Sequence, residues 1–152
     1  MTQLEALKAI ARRDGGLLRP AAVVEDARPE DSPLHGAFEW DDGKAAEQYR
    51  LEQAQHLIRS FKVEIESENG EAVKVPVFVN LSTDRTGPTA ENPYRLVEAV
   101  AKKPDLMAVA VADALGQLAA LRDRYAHLKE LADVWAAVDA HTGKRGRASK
   151  AG

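Results

Sequence analysis

Residues 41–81, DDGKAAEQYRLEQAQHLIRSFKVEIESENGEAVKVPVFVNL, decide the fold, because the apolar period changes inside them. Up to Phe61 the apolar residues recur at helical spacing. Ala46, Tyr49, Ala54, Leu57, Ile58 and Phe61 form one stripe, and Lys44, Arg50, Gln55 and Arg59 lie opposite. Asp41 or Asp42 is placed to cap this helix, since a carboxylate there accepts from free backbone amides and meets the positive end of the helix dipole. From Lys62 the period is two. Val63 and Ile65, then Val73, Val75, Val77, Val79 and Leu81, alternate with polar residues on either side of Asn69-Gly70, a strong hairpin turn signal. Pro76 argues for an edge position. The stretch therefore predicts a helix to about Ser60 and then a two-stranded antiparallel hairpin, which needs helices to pack on.

Toward the N-terminus, Leu4, Leu7, Ile10 and Ala11 give residues 2–13 an amphipathic helical pattern that Gly15-Gly16 stops. Pro20 suits the first position of a second helix, PAAVVEDA, with Val23, Val24 and Ala27 inward and Pro29 beyond it. Residues 30–40 read as an irregular connector whose Phe38 and Trp40 plug the N-terminal core. Toward the C-terminus, residues 82–92 are a polar loop and 94–102 a short helix. From Asp105 to about Ala140 there is no proline and one glycine. Val111, Ala114, Leu118, Leu121, Tyr125, Leu128, Ala132 and Trp135 step in threes and fours, a heptad seam. The pattern predicts one helix of about 50 Å at about 1.5 Å per residue. Leu118, Leu121, Tyr125, Leu128 and Trp135 are its expected oligomer interface.

The expected fold class is α+β, mainly α. A helical and hairpin domain spans 1–81, a loop, short helix and long helix span 82–141, and a disordered basic tail spans 142–152. The 152 residues include no cysteine, which removes disulfides and thiolate chemistry and suits a reducing cytoplasm. No secretory leader and no membrane span are expected. The net charge is −3, but the tail carries Lys144, Arg145, Arg147 and Lys150 with no acid, leaving the remainder at −7.

Three classes of function are open to these residues. Chemistry finds little support. His35, Glu39, Asp41 and Asp42 are the nearest thing to a cation cluster, but capping and solvation explain the acids, and no phosphate loop or hydrolase motif is present. No enzyme activity, metal or cofactor is expected. DNA binding is the leading expectation, because three helices followed by a hairpin is the element order of a winged helix. Lys44, Arg50, Gln53 and Arg59 of the third helix, with Lys144, Arg145, Arg147 and Lys150 of the tail, are the expected contacts. Against this, residues 1–61 hold eight bases and eleven acids. The alternative is a non-enzymatic oligomeric adaptor that binds a phage or host protein, with its acidic surface as a candidate contact, and self-associates through the heptad seam.

The segments GGLLRPAAVVEDA, SPLHGAFEWDD and AAEQYRLEQAQHLIR, with the later DRTG at 84–87 and RYAHLKEL at 124–131, resemble a group of small proteins encoded by bacteriophages and prophages. The resemblance runs from about Leu4 to Val138. It implies a binding or assembly role in a phage context and assigns no role to any single residue.

Overall fold

The computed structural model of the chain describes residues 1–41, 44–88 and 92–149, and the side chains of all of these except 44–45 and 142–149. The fold is α+β and mainly helical. Contacts divide it into two compact units, Met1–Met107 and Ala108–Gly152.

In the first unit, helix α1 (Gln3–Arg13) starts at a capping box. Thr2 Oγ1 accepts from Glu5 N at 3.2 Å, and the Glu5 carboxylate accepts from Thr2 N at 2.7 Å. These bonds, the backbone one first, hold the Glu5 carboxyl below its usual range. The helix stops where the sequence places Gly15 and Gly16, whose φ angles of 69° and 87° lie in the left-handed region. Helix α2 (Pro20–Ala27) has proline at its first position, where the missing N–H costs nothing. Helix α3 (Lys44–Ser60) follows the connector. The cap expected from Asp42 lies outside the described residues.

Leu7, Ile10 and Ala11 of α1, Val23, Val24 and Ala27 of α2, and Ala54 and Ile58 of α3 form the buried core. Leu34 and Phe38 of the connector close it, with Trp40 packed against it. The face of α3 is turned relative to the expected one. Tyr49, expected inside, is 53% exposed, while Arg50, expected outside, is 5% exposed.

Strands β1 (Lys62–Glu66) and β2 (Ala72–Pro76) form the expected antiparallel hairpin, with Val63 opposite Val75 and Ile65 opposite Val73. Gly70 takes φ 76° in its turn. The strand expected to run on to Leu81 ends at Pro76, however. Phe78–Val79 is a separate strand, β3, paired with β4 (Arg95–Leu96). Leu18 and Tyr94 bridge beside it, with N–H to O distances of 2.7 and 2.8 Å in the two directions. The predicted helix over 94–102 is correspondingly shorter, as α4 (Val97–Ala101). Residues 82–107 therefore belong to the N-terminal unit, and the expected boundary at 81 moves to 107. The cause is β4: its short strand carries this segment back onto Phe78 and Leu18, both buried.

The helix predicted over 105–140 is two helices, α5 (Pro104–Arg124) and α6 (Ala132–Ser149). Leu128 N bonds back to Tyr125 O and Leu131 N to Leu128 O, each at 3.0–3.1 Å. These three-residue closures interrupt the α-helical ladder, and a 3₁₀ turn at Lys129–Leu131 leads into α6. An ion pair between Arg122 of α5 and Asp139 of α6 links the two helices beyond the break. The backbone of α6 runs helically to Ser149, so 142–149 differ from the disordered tail expected there.

Candidate interaction surfaces

The residues expected to touch DNA fall into three groups. Arg50 is committed to the fold. Its Nε donates to the Glu39 carbonyl at 2.8 Å, its Nη1 reaches Glu47 at 3.5 Å, and its guanidinium sits 5.0 Å from the Trp40 ring centre. His35 stacks on the same indole at 5.0 Å and 10° between planes, and Trp40 Nε1 donates to the His35 carbonyl at 3.0 Å. Gln53 is half-buried, and its Oε1 accepts from Glu39 N at 3.2 Å. Arg50 and Gln53 are thus the fastening of the connector to α3, which is why a cation occupies a core position. Among those with described side chains only Arg59 is exposed, its Nε bonded to Gln55 O at 3.2 Å. The side chains of Lys44, Lys144, Arg145 and Arg147, and all of Lys150, lie outside the described residues.

The charges of α3 and the hairpin are mixed. Glu47 and Glu52 are exposed on the same helix. The hairpin from 62 to 76 carries Glu64, Glu66, Glu68 and Glu71 against Lys62 and Lys74. A ribbon of that charge repels phosphates instead of gripping them.

Charge chemistry elsewhere in the first unit is also structural. Arg95 makes a two-pronged pair with Asp84 at 2.7 and 2.8 Å, and that pairing raises its pKa. Arg13 binds Asp14 and Asp26, which raises its own pKa and lowers that of Asp14. Arg28 is raised by Glu25. An open cleft of about 450 Å³ lies between Arg19, Thr83, Asp84, Thr86 and Asn92. Its one carboxylate among the described residues is already held by Arg95. His35 Nδ1 donates to the Ala27 carbonyl at 2.9 Å, so it serves the connector, and no metal-ligating cluster occurs among the described residues.

Two surfaces are different in kind, because they expose apolar side chains in a regular pattern. The first is the hairpin face, where Val63, Ile65 and Val73 are 38%, 48% and 42% exposed. The second is α5. At 100° per residue Met107, Ala114, Leu118, Leu121 and Tyr125 fall within roughly 60° of one another around the helix. All five are exposed, and no residue of α5 is buried. With Val111, which is half-buried, these positions include the heptad seam read from the sequence as far as Tyr125. Leu128 is exposed in the break, outside any α-helix, and Trp135 is half-buried in α6, its Nε1 buried without a hydrogen-bond partner. The seam expected to run continuously from 111 to 135 is therefore confined to α5.

No membrane span was expected from the sequence, and α5 is the one described helix long and apolar enough, by length and composition only, to meet that test. Within its 21 residues an 18-residue window has a mean hydropathy of 1.3. By length and composition it suffices to cross a bilayer, though Asp113 stands near its middle.

Comparison with protein-family models, with curated proteins and with solved structures finds no match to this chain.

Proposed function

We propose that this protein is a non-enzymatic assembly or adaptor protein that self-associates through α5, with the N-terminal unit as the presented body. One observation carries the reading: the seam of α5 is apolar and regular, and Met107, Ala114, Leu118, Leu121 and Tyr125 along it are exposed. A helix with such a stripe gains stability by burying it, at about 25 cal/mol per Å². A second copy is the natural cover, since knobs spaced at threes and fours fit holes of the same spacing. The resemblance to small phage-encoded proteins suits such a role.

Sedimentation velocity over a range of concentrations tests this. A mass above the 16.5 kDa of one chain is expected, falling to one chain for Leu118→Asp with Leu121→Asp. Each buried leucine is worth about 1.5–3 kcal/mol, so the pair weakens association by roughly 100-fold or more. A unit-mass particle at every concentration ends the reading. Transfer of the protein onto phosphatidylcholine vesicles, lost in the same variant, would assign α5 to a membrane instead. There Asp113 is unfavourable by about 2.5–3.5 kcal/mol at the bilayer centre.

DNA binding is the second reading, supported now by the tail sequence more than by α3. It predicts salt-sensitive binding that disappears on truncation after His141. Retention of binding by the truncated chain would return the contact to Arg59 and Lys44.

A further inference from the structure

The hairpin offers a second surface, independent of α5, and its backbone says what fits there. Val77 N donates to Phe61 O at 3.1 Å, and Ser67 N donates to Glu71 O at 2.8 Å. Both bonds belong to the register that sets Lys62 opposite Pro76 and Glu66 opposite Ala72. In an antiparallel ladder hydrogen-bonded pairs alternate with non-bonded ones. Phe61, Val63, Ile65 and Ser67 therefore direct their backbone groups toward β2. Lys62, Glu64 and Glu66 direct theirs away from it, to the open edge of β1.

That edge is complete, with three outward N–H groups and three outward carbonyls. The other edge is not, because Pro76 occupies one of the outward positions of β2 and has no N–H. All five residues of β1 are exposed. On one face of the ribbon, the Val63–Val75 and Ile65–Val73 pairs form an apolar ladder. On the other stand Lys62, Glu64 and Glu66.

We propose that the open edge of β1 docks an extended segment of a partner protein in which basic and β-branched residues alternate. Added antiparallel, such a strand sets a basic residue opposite Glu66 and another opposite Glu64. It sets β-branched residues opposite Ile65 and Val63, widening the apolar ladder, and an acid opposite Lys62. Main-chain bonds supply affinity, and the alternating side chains supply selectivity. Edge charges reject mismatched strands. A second β1 strand is a poorer match, because the register that uses all three outward residues sets Lys62 opposite Glu66 twice but Glu64 opposite Glu64 at its centre, where a partner with a basic residue has an attractive pair.

The test uses the full chain and the labelled peptide Thr-Lys-Val-Lys-Val-Glu-Thr, followed by fluorescence anisotropy. Saturable, salt-sensitive binding is expected, with the charge-exchanged peptide Thr-Glu-Val-Glu-Val-Lys-Thr at least about tenfold weaker. Methylating the backbone nitrogens of the two lysines removes two ladder bonds and weakens binding about tenfold or more, whereas methylating those of the valines, which point outward, changes it by less than about twofold. Glu64→Lys with Glu66→Lys inverts the preference between the peptides. Leu118→Asp with Leu121→Asp leaves binding unchanged, which separates this surface from the seam of α5. Absence of binding, equal binding of the two peptides, or indifference to lysine methylation would overturn the proposal. So would a loss of self-association in the Glu64→Lys, Glu66→Lys chain, which would assign the edge to a second copy.

Discussion

The N-terminal unit and α5 use the same apolar residue types and dispose of them in opposite ways. In the first unit Leu7, Leu18, Val23, Val24, Leu34, Ile58 and Leu81 are fully enclosed, and even a cation, Arg50, is drawn in to fasten the connector. In α5 the leucines at 118 and 121 are 38% and 40% exposed, and nothing on the helix is buried. Three helices closed by the connector's Leu34 and Phe38 enclose a core. A helix linked to its neighbour by the Arg122–Asp139 pair does not, and its apolar face stays at the surface. The lesson is that apolar periodicity in a sequence reports a face that wants cover, without saying which chain provides it.

Mutations sharpen that contrast. The largest effect on stability is expected from Ile58→Ala, which removes a fully enclosed side chain of α3. It should lower the unfolding free energy of the N-terminal unit by about 2–5 kcal/mol, read from the denaturant midpoint. Arg50→Ala comes next, at about 2–3 kcal/mol, since it leaves the Glu39 carbonyl unpaired and strips a cation from Trp40. Arg50→Lys should recover little, because an ammonium cannot hold both partners in that planar geometry. Arg59→Ala, on the same helix but exposed, is expected within about 0.5 kcal/mol of the unaltered chain. Equal losses for Arg50→Ala and Arg59→Ala would contradict the assignment of Arg50 to the core.

Leu118→Asp with Leu121→Asp is expected to leave the unfolding midpoint of the first unit within about 0.5 kcal/mol while dissociating the assembly. A cooperative loss of both would mean that the two regions are not distinct in the way their burial indicates. The smallest expected effect is that of pH on α1. The Glu5 carboxyl is held below its usual range in the folded chain, so its contribution is present above the ordinary carboxylate pKa and is lost as pH falls through the lowered value. Lower protection factors of the Thr2 and Glu5 amides in acid, relative to the intrinsic exchange rate at each pH, should report this, and Glu5→Gln should remove the pH dependence.

Much of the first unit was legible in the sequence because its signals are local. Gly15-Gly16, Pro20 and Asn69-Gly70 each act through backbone geometry at their own position, and each ends, starts or turns an element as expected. What was not legible depends on distant partners. Phe78–Val79 and Arg95–Leu96 are too short for any period and exist as strands only through each other. Arg50 reads as a surface residue on a helical wheel, and only the return of Glu39 and Trp40 over it explains its burial. The break after Arg124 falls in YAHL, which contains neither proline nor glycine, so a continuous heptad pattern concealed it. Of the two proposed surfaces, the α5 part of the seam was legible as a pattern, and the hairpin edge was not, since its phase lies in the backbone bonds.

Hydrogen–deuterium exchange at several protein concentrations tests the central claim most directly, because it reads both regions in one experiment. The amides of 108–124 should become more protected as concentration rises, while those of α1, α2 and α3 stay constant. Protection of 108–124 that is the same at every dilution would contradict the claim that α5 is covered by another copy.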